Sequence, residues 1–304
     1  MGAKRAVRRW RGASPDLSEP NLRIFPTLLL TAASFLMPQL AQAQSRSSGS
    51  ADADGDIVIA GVGLGRVTDY EGSDDYRLLP VPGAIGSING IGFVYIGNRL
   101  SVDLIPAPKG PGWDLIAGPV VSVGFNRSML KSIDDPRIRA LGKVGMSVEL
   151  GGMVGVARRG VFTSDYDRLS ATVSVRHDVA GGHGGTLVNP TLSYMTPLST
   201  RSMTMLFASA THADGSYTRT YYTITPAQSG ASGLPVFDAK PGWKDWTVGG
   251  AVNVSLTGDL TGGLSAIGGI AYTRMLNDYA ASPVVSIAGS RDQWMMGLGL
   301  AYTF

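Results

Sequence analysis

Cysteine is absent from the 304-residue sequence, histidine occurs only three times, and charged residues make up only 16% of the chain. The lack of cysteine excludes disulfide bonds, so the backbone hydrogen-bond network has to hold the fold together. After residue 43 no apolar run approaches the length of about eighteen residues that a transmembrane helix requires. Helical membrane spans are therefore excluded from residues 44–304, and neither charge blocks nor coiled-coil heptads occur there.

The first 43 residues are predicted to be a secretory signal peptide. A basic segment precedes a short apolar stretch, residues 24–36, and the small-x-small pattern of residues 41–43 follows. This segment carries six of the 26 basic residues and two of the 23 acidic ones, which leaves 20 and 21, or a net charge of −1, in residues 44–304. The basic character of the whole chain therefore gives no indication of nucleic-acid binding. Residues 44–56 are predicted to be a flexible lead-in.

The last eleven residues alternate between large apolar and mostly small side chains. The large set is Trp294, Met296, Leu298, Leu300, Tyr302 and Phe304. Successive side chains of a strand point to opposite faces, and here neither face carries charge. The pattern is typical of a strand with lipid on one side and a lumen on the other, although an ordinary buried strand alternates too. We interpret it as the terminal strand of a barrel, with Tyr302 and Phe304 as the residues that barrel-assembly machinery would meet.

The same alternation recurs along residues 57–304 and predicts a transmembrane, antiparallel, up-and-down β-barrel of about twelve strands in outer-membrane lipid. The predicted strands are 57–66, 78–88, 91–97, 99–106, 114–125, 143–157, 166–178, 186–196, 201–211, 243–257, 260–274 and 293–304. Because the third and fourth are short, ten or fourteen strands remain alternatives. Short turns follow the even strands and mostly longer segments follow the odd ones, which is the asymmetry of bacterial outer-membrane barrels. The link at Asn98 is an exception.

Sites with catalytic or metal-binding chemistry are hard to find in this sequence. The glycines of residues 61–65 lie inside an alternating strand and are better explained by close wall packing than by a dinucleotide loop. His177, Asp178 and His183 could hold a metal at the barrel rim, but their spacing across a Gly-rich turn favours histidines in solvent. A lipid hydrolase would use His177 with Ser174, yet no orienting residue is evident. We therefore predict no enzyme activity and no cofactor.

Few charged residues are predicted to point into the lumen. They are Asp103, Glu149, Arg168 and Arg176. Opposite charges inside a barrel can pair and plug it, or they can line a pore. Pairing is the simpler expectation, because an isolated charge in a narrow lumen loses its hydration.

Three loop segments are more distinctive than the walls. They contain Asp69, Tyr70, Glu71, Gly72, Ser73 and Asp74, then Ser232, Gly233, Leu234 and Pro235, and finally Asp278, Ser282 and Pro283. At these segments, and through to Phe304, the chain resembles the MipA/OmpV family of MltA-interacting outer-membrane proteins. The resemblance implies a barrel in the outer membrane of a Gram-negative cell and a scaffold that joins a periplasmic lytic transglycosylase to a murein synthase. It brings no catalytic residues.

Two functional hypotheses remain open. A non-enzymatic scaffold would bind its partners through the short turns, chiefly residues 107–113 and 158–165, and through the lead-in. A channel or surface protein would use its lumen charges, Glu149 and Arg176 above all, or its long loops to meet solutes or a host surface. Membership of a family does not decide between these activities.

Overall fold

The barrel wall is a single closed sheet in which each strand pairs with its neighbours in sequence and the last strand pairs with the first. This arrangement is seen in a computed structural model that describes residues 56–108 and 110–304. All pairs are antiparallel. The strands are β1 (Val58–Thr68), β2 (Tyr76–Ile88), β3 (Ile91–Ile96), β4 (Arg99–Asp103), β5 (Gly112–Gly124), β6 (Ser147–Arg159), β7 (Arg168–Asp178), β8 (Thr186–Ser199), β9 (Ser202–Ala213), β10 (Gly242–Ser255), β11 (Gly263–Met275) and β12 (Asp292–Thr303). The predicted twelve-stranded barrel is confirmed.

Alternation along the terminal strands sorts side chains to the two sides of the wall as predicted. Val62 pairs with Leu300 and Leu64 with Leu298, and all four are largely exposed on the outer face. On the inner face between these pairs, Gly63 opposes Gly299, and the backbones of β1 and β12 approach each other closely. A Cβ atom added at Gly61 would lie 2.4 Å from the carbonyl oxygen of Leu300. The glycines of this stretch are therefore packing residues, as the sequence predicts.

Two predicted strands begin three or four residues too early, and the strand predicted to end at residue 106 ends at Asp103. The strand expected from residue 143 begins at Ser147, because Val144 precedes the strand and packs instead in a buried cluster with Tyr217 and Tyr222 of α2. The strand expected from residue 260 begins at Gly263, because the carboxylate of Asp259 accepts a hydrogen bond from the backbone of Thr261 and holds a tight turn. In both places the apolar pattern continues beyond the end of the strand. The signal peptide and nearly all of the lead-in lie outside the described residues.

Aromatic side chains mark both ends of the outer apolar face. At one end the rings of Tyr272 and Trp294 lie 4.9 Å apart, and at the other end the rings of Tyr302 and Phe304 also lie 4.9 Å apart. Trp294 and Tyr302 are eight positions apart on β12, which is about 26 Å along the strand and about 20 Å along the axis of a tilted barrel. Such a spacing suits the hydrocarbon thickness of an outer membrane.

The barrel has a short-turn end and a long-loop end. Both chain ends of the wall, at Val58 and Thr303, lie at the short-turn end. The β3–β4 hairpin is short, so the upper half of β2 has a neighbour on one edge only. Pro80 and Pro82 lie in that half, and proline, which cannot donate a ladder hydrogen bond, is tolerated at a free sheet edge. Because β3 and β4 end well below the long-loop end, the link at Asn98 between them is short although it follows an odd-numbered strand.

The long connections carry all the described helices. These are a 3-10 turn (Leu130–Ser132) and α1 (Pro136–Ala140) between β5 and β6, α2 (Gly215–Tyr222) and α3 (Pro226–Ser232) between β9 and β10, and α4 (Asn277–Ala281) and α5 (Pro283–Ser286) between β11 and β12. Side-chain caps begin several of them; the carboxylate of Asp214 accepts from two backbone N–H groups at the start of α2. Among the described residues, no helix is long and apolar enough to cross a membrane.

Candidate functional site

Four long-loop segments pack together over one end of the barrel, and we refer to them as the cap. They are residues 69–75, 125–146, 214–241 and 276–291. Two buried clusters hold them together, one around Tyr222 and Tyr279 and one around Tyr70, Ile138 and Leu234. Each cluster contains side chains from several loops, so no loop of the cap is packed independently. The long-loop mouth of the barrel is therefore covered by a small hydrophobic core.

The segment 69–74 of the predicted family motif supplies central contacts of the cap. The hydroxyl of Tyr70 is buried and donates to the backbone carbonyls of Val284 and Ala288 in the β11–β12 connection. The side-chain hydroxyl of Ser73 accepts from the backbone of Asp75, which closes the turn. Gly72 has φ +101°, and a Cβ there would lie 2.6 Å from a methyl group of Val285. Both conformation and space therefore require glycine at this position.

Glu71 is the electrostatic centre of the cap. One carboxylate oxygen accepts from the ammonium group of Lys244 on β10, and the other accepts from the hydroxyls of Tyr217 and Tyr222 on α2. The Lys244 ammonium also lies 3.0 Å from the carboxylate of Asp245. A single side chain thus connects the β1–β2 loop, helix α2 and the wall.

Burial alone raises the pKa of the Glu71 carboxyl, but the charge of Lys244 and the three donated hydrogen bonds outweigh burial and hold this pKa below its ordinary value of 4.5. Burial and the neighbouring Glu71 charge raise the pKa values of Tyr217 and Tyr222 well above 10.0. At neutral pH the carboxylate is therefore charged and both hydroxyls remain protonated donors. The arrangement stabilises the closed cap electrostatically.

The other two motif segments meet the first one in the cap. The hydroxyl of Ser282 donates to the carbonyl of Tyr222 at 2.6 Å, and Pro283 is the first residue of α5. Leu234 is fully buried in the cluster around Tyr70, directly after Gly233 ends α3 with φ +76°. The carboxylate of Asp278 accepts from the backbone of Lys240. Ser232 caps its own helix end, since its hydroxyl accepts from the backbone of Leu234. Pro235 follows in the same connection.

Several carboxylates gather at the outer surface of the cap. Oxygen atoms of Asp69, Asp75 and Asp134 lie within 4.8 Å of one another, a spacing at which a cation could bind. One carboxylate oxygen of Asp69 already accepts a hydrogen bond from the backbone N–H of Asp134 at 2.8 Å, so it is less available to a cation. Burial raises the pKa of Asp75, and the charges of Asp74 and Asp69 raise it further. Mutual repulsion is the main electrostatic property of this group.

Below the cap, Glu149 and Arg176 form a buried ion pair inside the barrel, with Nε of Arg176 2.9 Å from Oε2 of Glu149. His183 lies 3.3 Å from the other oxygen of Glu149 and is itself buried. The expectation of a solvent-exposed His183 is therefore wrong. Its ring packs against the ring of Tyr217 at 4.8 Å, a contact between distant loops that local sequence does not reveal.

The two remaining predicted lumen charges are also satisfied locally. One oxygen of Asp103 accepts from the backbone of Ile105 and Ala117. Arg168 donates to Asp114 at 2.8 Å, and Asp114 is a buried inner residue that the sequence analysis missed because it falls at the edge of a predicted strand. A second missed residue is Arg99, which is described further below.

The hypothetical histidine metal site and hydrolase site are not assembled. His177 is exposed and its ring contacts the hydroxyl of Thr186, whereas Asp178 and His183 are buried. The carboxylate of Asp178 accepts from backbone groups of residues 148, 180, 183 and 184. Ser174, on the opposite face of β7 from His177, accepts from Arg99. The geometry thus separates the residues that either site would need to bring together.

At the opposite end of the barrel, the β6–β7 turn is built around Asp167. Its buried carboxylate accepts from the backbone of residues 161, 162 and 163 and from the hydroxyl of Tyr194. These hydrogen bonds outweigh burial and lower the pKa of Asp167. The rigid turn presents two large aromatic side chains, Phe162 and Tyr166, which are 73% and 72% exposed. On this ordered turn both side chains are accessible to a partner or to the membrane interface.

Comparison with known proteins adds one family and a set of distant barrels. The model of a family described as MltA-interacting protein MipA matches residues 60–304. No curated protein matches the chain. Solved structures with similarity include an anion-selective porin from Comamonas acidovorans (10% identity, 82% of this chain and 99% of that chain, TM-score 0.33). The toluene transporter TodX of Pseudomonas putida is similar at 9% identity, covering 82% and 88%, with a TM-score of 0.32. OprD of Pseudomonas aeruginosa is similar at 11% identity, covering 82% and 92%, with a TM-score of 0.30.

Proposed function

Because the chain belongs to the MltA-interacting protein family MipA, we propose that it is a non-enzymatic outer-membrane scaffold for periplasmic murein-processing enzymes. Its partners would be a lytic transglycosylase and a murein synthase. The outer apolar face with aromatic rings at both edges supports a position in the outer membrane. In this orientation the short turns and both ends of the wall face the periplasm.

The observation that carries the proposal is the covered mouth. A channel needs a continuous aqueous path, whereas here four loops share two buried clusters and a buried ion pair across one end. The Glu149–Arg176 pair lies beneath them. A barrel closed at its outer end favours a role for the periplasmic surface over solute passage.

The β6–β7 turn is the surface that we assign to partner binding. Asp167 holds its backbone, so Phe162 and Tyr166 are presented without the entropic cost of ordering a flexible loop on binding. Large aromatic residues are also the side chains that contribute most at protein interfaces. Near this turn, Arg158 on β6 lies over the ring of Trp113, its opposed residue on β5, at 5.5 Å.

Capture experiments test this assignment. Barrel purified from outer membranes and reconstituted in nanodiscs would be mixed with a purified lytic transglycosylase or murein synthase, and binding would be measured by surface plasmon resonance. The double substitution Phe162→Ser and Tyr166→Ser should weaken binding at least tenfold. Leu198→Ser, which changes an apolar residue of 63% exposure near the end of β8, is the matched control and should bind like the unaltered protein. Equal binding by both variants would refute the assignment of this turn.

Planar-bilayer recording tests the covered mouth separately. The unaltered protein, shown to be folded by heat-dependent gel mobility, should give no discrete openings. Reproducible single-channel steps would favour the channel hypothesis and would make Glu149 and Arg176 the residues to neutralise next.

A further inference from the structure

Part of the lumen below the cap has an apolar lining that the alternating pattern does not lead one to expect. In antiparallel pairs, directly opposed side chains lie on the same face of the sheet. Ile96 opposes Arg99, and Val94 opposes both Ser101 and Ile85. The side chain of Arg99 reaches Ser174 on β7 and Asn189 on β8, across the inside of the barrel. Ile85, Val94 and Ile96 therefore point into the lumen.

These inward residues face open space. Their exposed fractions are 42% for Ile85, 43% for Val94 and 47% for Ile96, although each lies inside a closed barrel. These three side chains lie next to one another on β2 and β3, and we call them the apolar stripe. An apolar surface of this kind in water is unfavourable unless something covers it.

Next to the apolar stripe, Arg99 on β4 carries a guanidinium that has no carboxylate partner in the described part of the chain and that reaches polar groups of the facing wall. Arg99 donates to the neutral groups of Ser174 and Asn189 at 3.0 and 3.2 Å. The neighbouring carboxylate of Glu149 is already bound by Arg176 and His183. Arg176 occupies the inner position next to Ser174 on β7, and its Nη1 atom is buried with no hydrogen-bond partner. The guanidinium groups of Arg99 and Arg176 therefore have N–H donors left over at this level of the lumen, where the Glu149 carboxylate is already paired.

We propose that the lumen binds an amphipathic anion with a single aliphatic chain. A carboxylate or phosphate head would lie against Arg99, where charge-assisted hydrogen bonds are strong. Its chain would lie along the apolar stripe, which begins at Ile96, directly opposite Arg99 on the β3–β4 hairpin. Since the cap covers the long-loop mouth, the ligand enters from the short-turn end. This site is separate from the partner surface on the β6–β7 turn, and its occupancy does not depend on the proposed scaffold function.

Calorimetry with water-soluble probes tests the site. The whole protein, purified from outer membranes into nanodiscs, would be titrated with octanoate, and empty nanodiscs of the same lipid would be titrated in parallel to subtract partitioning. The expected result is a saturable component with about one site per barrel. Affinity should fall about fourfold for each methylene removed from the chain. Octyltrimethylammonium, which has the same chain and the opposite charge, should not compete.

Substitutions locate the binding within the lumen. Arg99→Gln should weaken octanoate binding at least tenfold, Arg99→Lys should retain most of it, and Arg201→Gln, which removes an exposed arginine on a short turn, should change nothing. Val94→Asn tests the apolar stripe independently and should also weaken binding. Octyl phosphate compared with octanoate shows which head group is preferred. The proposal is overturned if no saturable component exceeds that of empty nanodiscs, or if folded Arg99→Gln and Val94→Asn proteins both bind like the unaltered one.

Discussion

Replacement of Glu71 by alanine should open the cap without unfolding the barrel. The substitution removes the acceptor for Lys244, Tyr217 and Tyr222 together and leaves the buried ammonium with Asp245 as its carboxylate partner. The cost should be about 3–5 kcal/mol, because two buried tyrosine hydroxyls lose their acceptor, at about 1–3 kcal/mol each, and the ammonium group loses one of its two carboxylates. All twelve strand pairings of the wall remain, so the lost free energy destabilises the closed cap relative to the open cap and not the barrel. The open population should rise about a hundredfold to a few thousandfold, at 1.4 kcal/mol per factor of ten.

Limited trypsin digestion of the folded barrel measures this opening. Arg219 lies on α2 in the β9–β10 segment of the cap and precedes Thr220, so trypsin can cleave after it, and cleavage there follows the open population when opening is fast relative to cleavage. The Glu71→Ala protein should be cut far faster than the unaltered protein while heat-dependent gel mobility remains normal. Asp238→Ala is the control, because it breaks an exposed ion pair with Lys240, worth about 1 kcal/mol or less.

Acid should reproduce the effect of the substitution. The pKa of Glu71 is lower in the folded protein than its ordinary value of 4.5, so its contribution is present at neutral pH and is lost as the pH falls below that value. Cleavage of the unaltered protein by an acid-active protease should therefore increase below about pH 4.5, whereas the Glu71→Ala protein should show little further change. Equal protection of both proteins at neutral pH would refute the reasoning, since the carboxylate could not then be holding the cap.

Two further substitutions test other parts of the molecule. Asp75→Asn should slow cleavage of the cap slightly at neutral pH, with a stabilisation of about 0.5 kcal/mol, because burial and the charges of Asp74 and Asp69 raise the pKa of Asp75 and disfavour its ionised form; faster cleavage would contradict this. Deletion of Phe304 should reduce the amount of heat-modifiable barrel in outer membranes, because its backbone donates to Val58 at the seam where the sheet closes. An unchanged amount would show that the seam forms without the terminal residue.

The wall could be predicted from the sequence because its signal is local. An inner or outer position on a strand depends only on odd or even numbering, and Leu298 and Leu300 show the alternation within a few residues. The pattern fails where it overruns a strand. Val144 is as apolar as a wall residue but packs in the cap, and only the tertiary structure distinguishes the two environments.

The cap could not be predicted in the same way, because its contacts join residues far apart in sequence. Glu71 lies in a segment that reads as an acidic surface loop, yet its partners are on β10 and α2. His183 lies in a Gly-rich turn that reads as solvated, yet it packs against Tyr217 and binds Glu149. Sequence identified the loops as distinctive, but burial of their charges depends on four loops meeting at one mouth.

The positions of the motif residues bear on where a partner can bind. Tyr70, Ser73, Leu234 and Ser282 are all at most 2% exposed, so a partner cannot touch them while the cap is closed. Their contacts explain why these residue types occur there: each joins one loop of the cap to another or closes a turn. The motif residues by which this chain resembles the family therefore build its cap and are not an accessible binding surface. Any partner of the closed barrel has to be recognised through exposed residues, and the ordered aromatic turn around Asp167 is a place where the structure provides them.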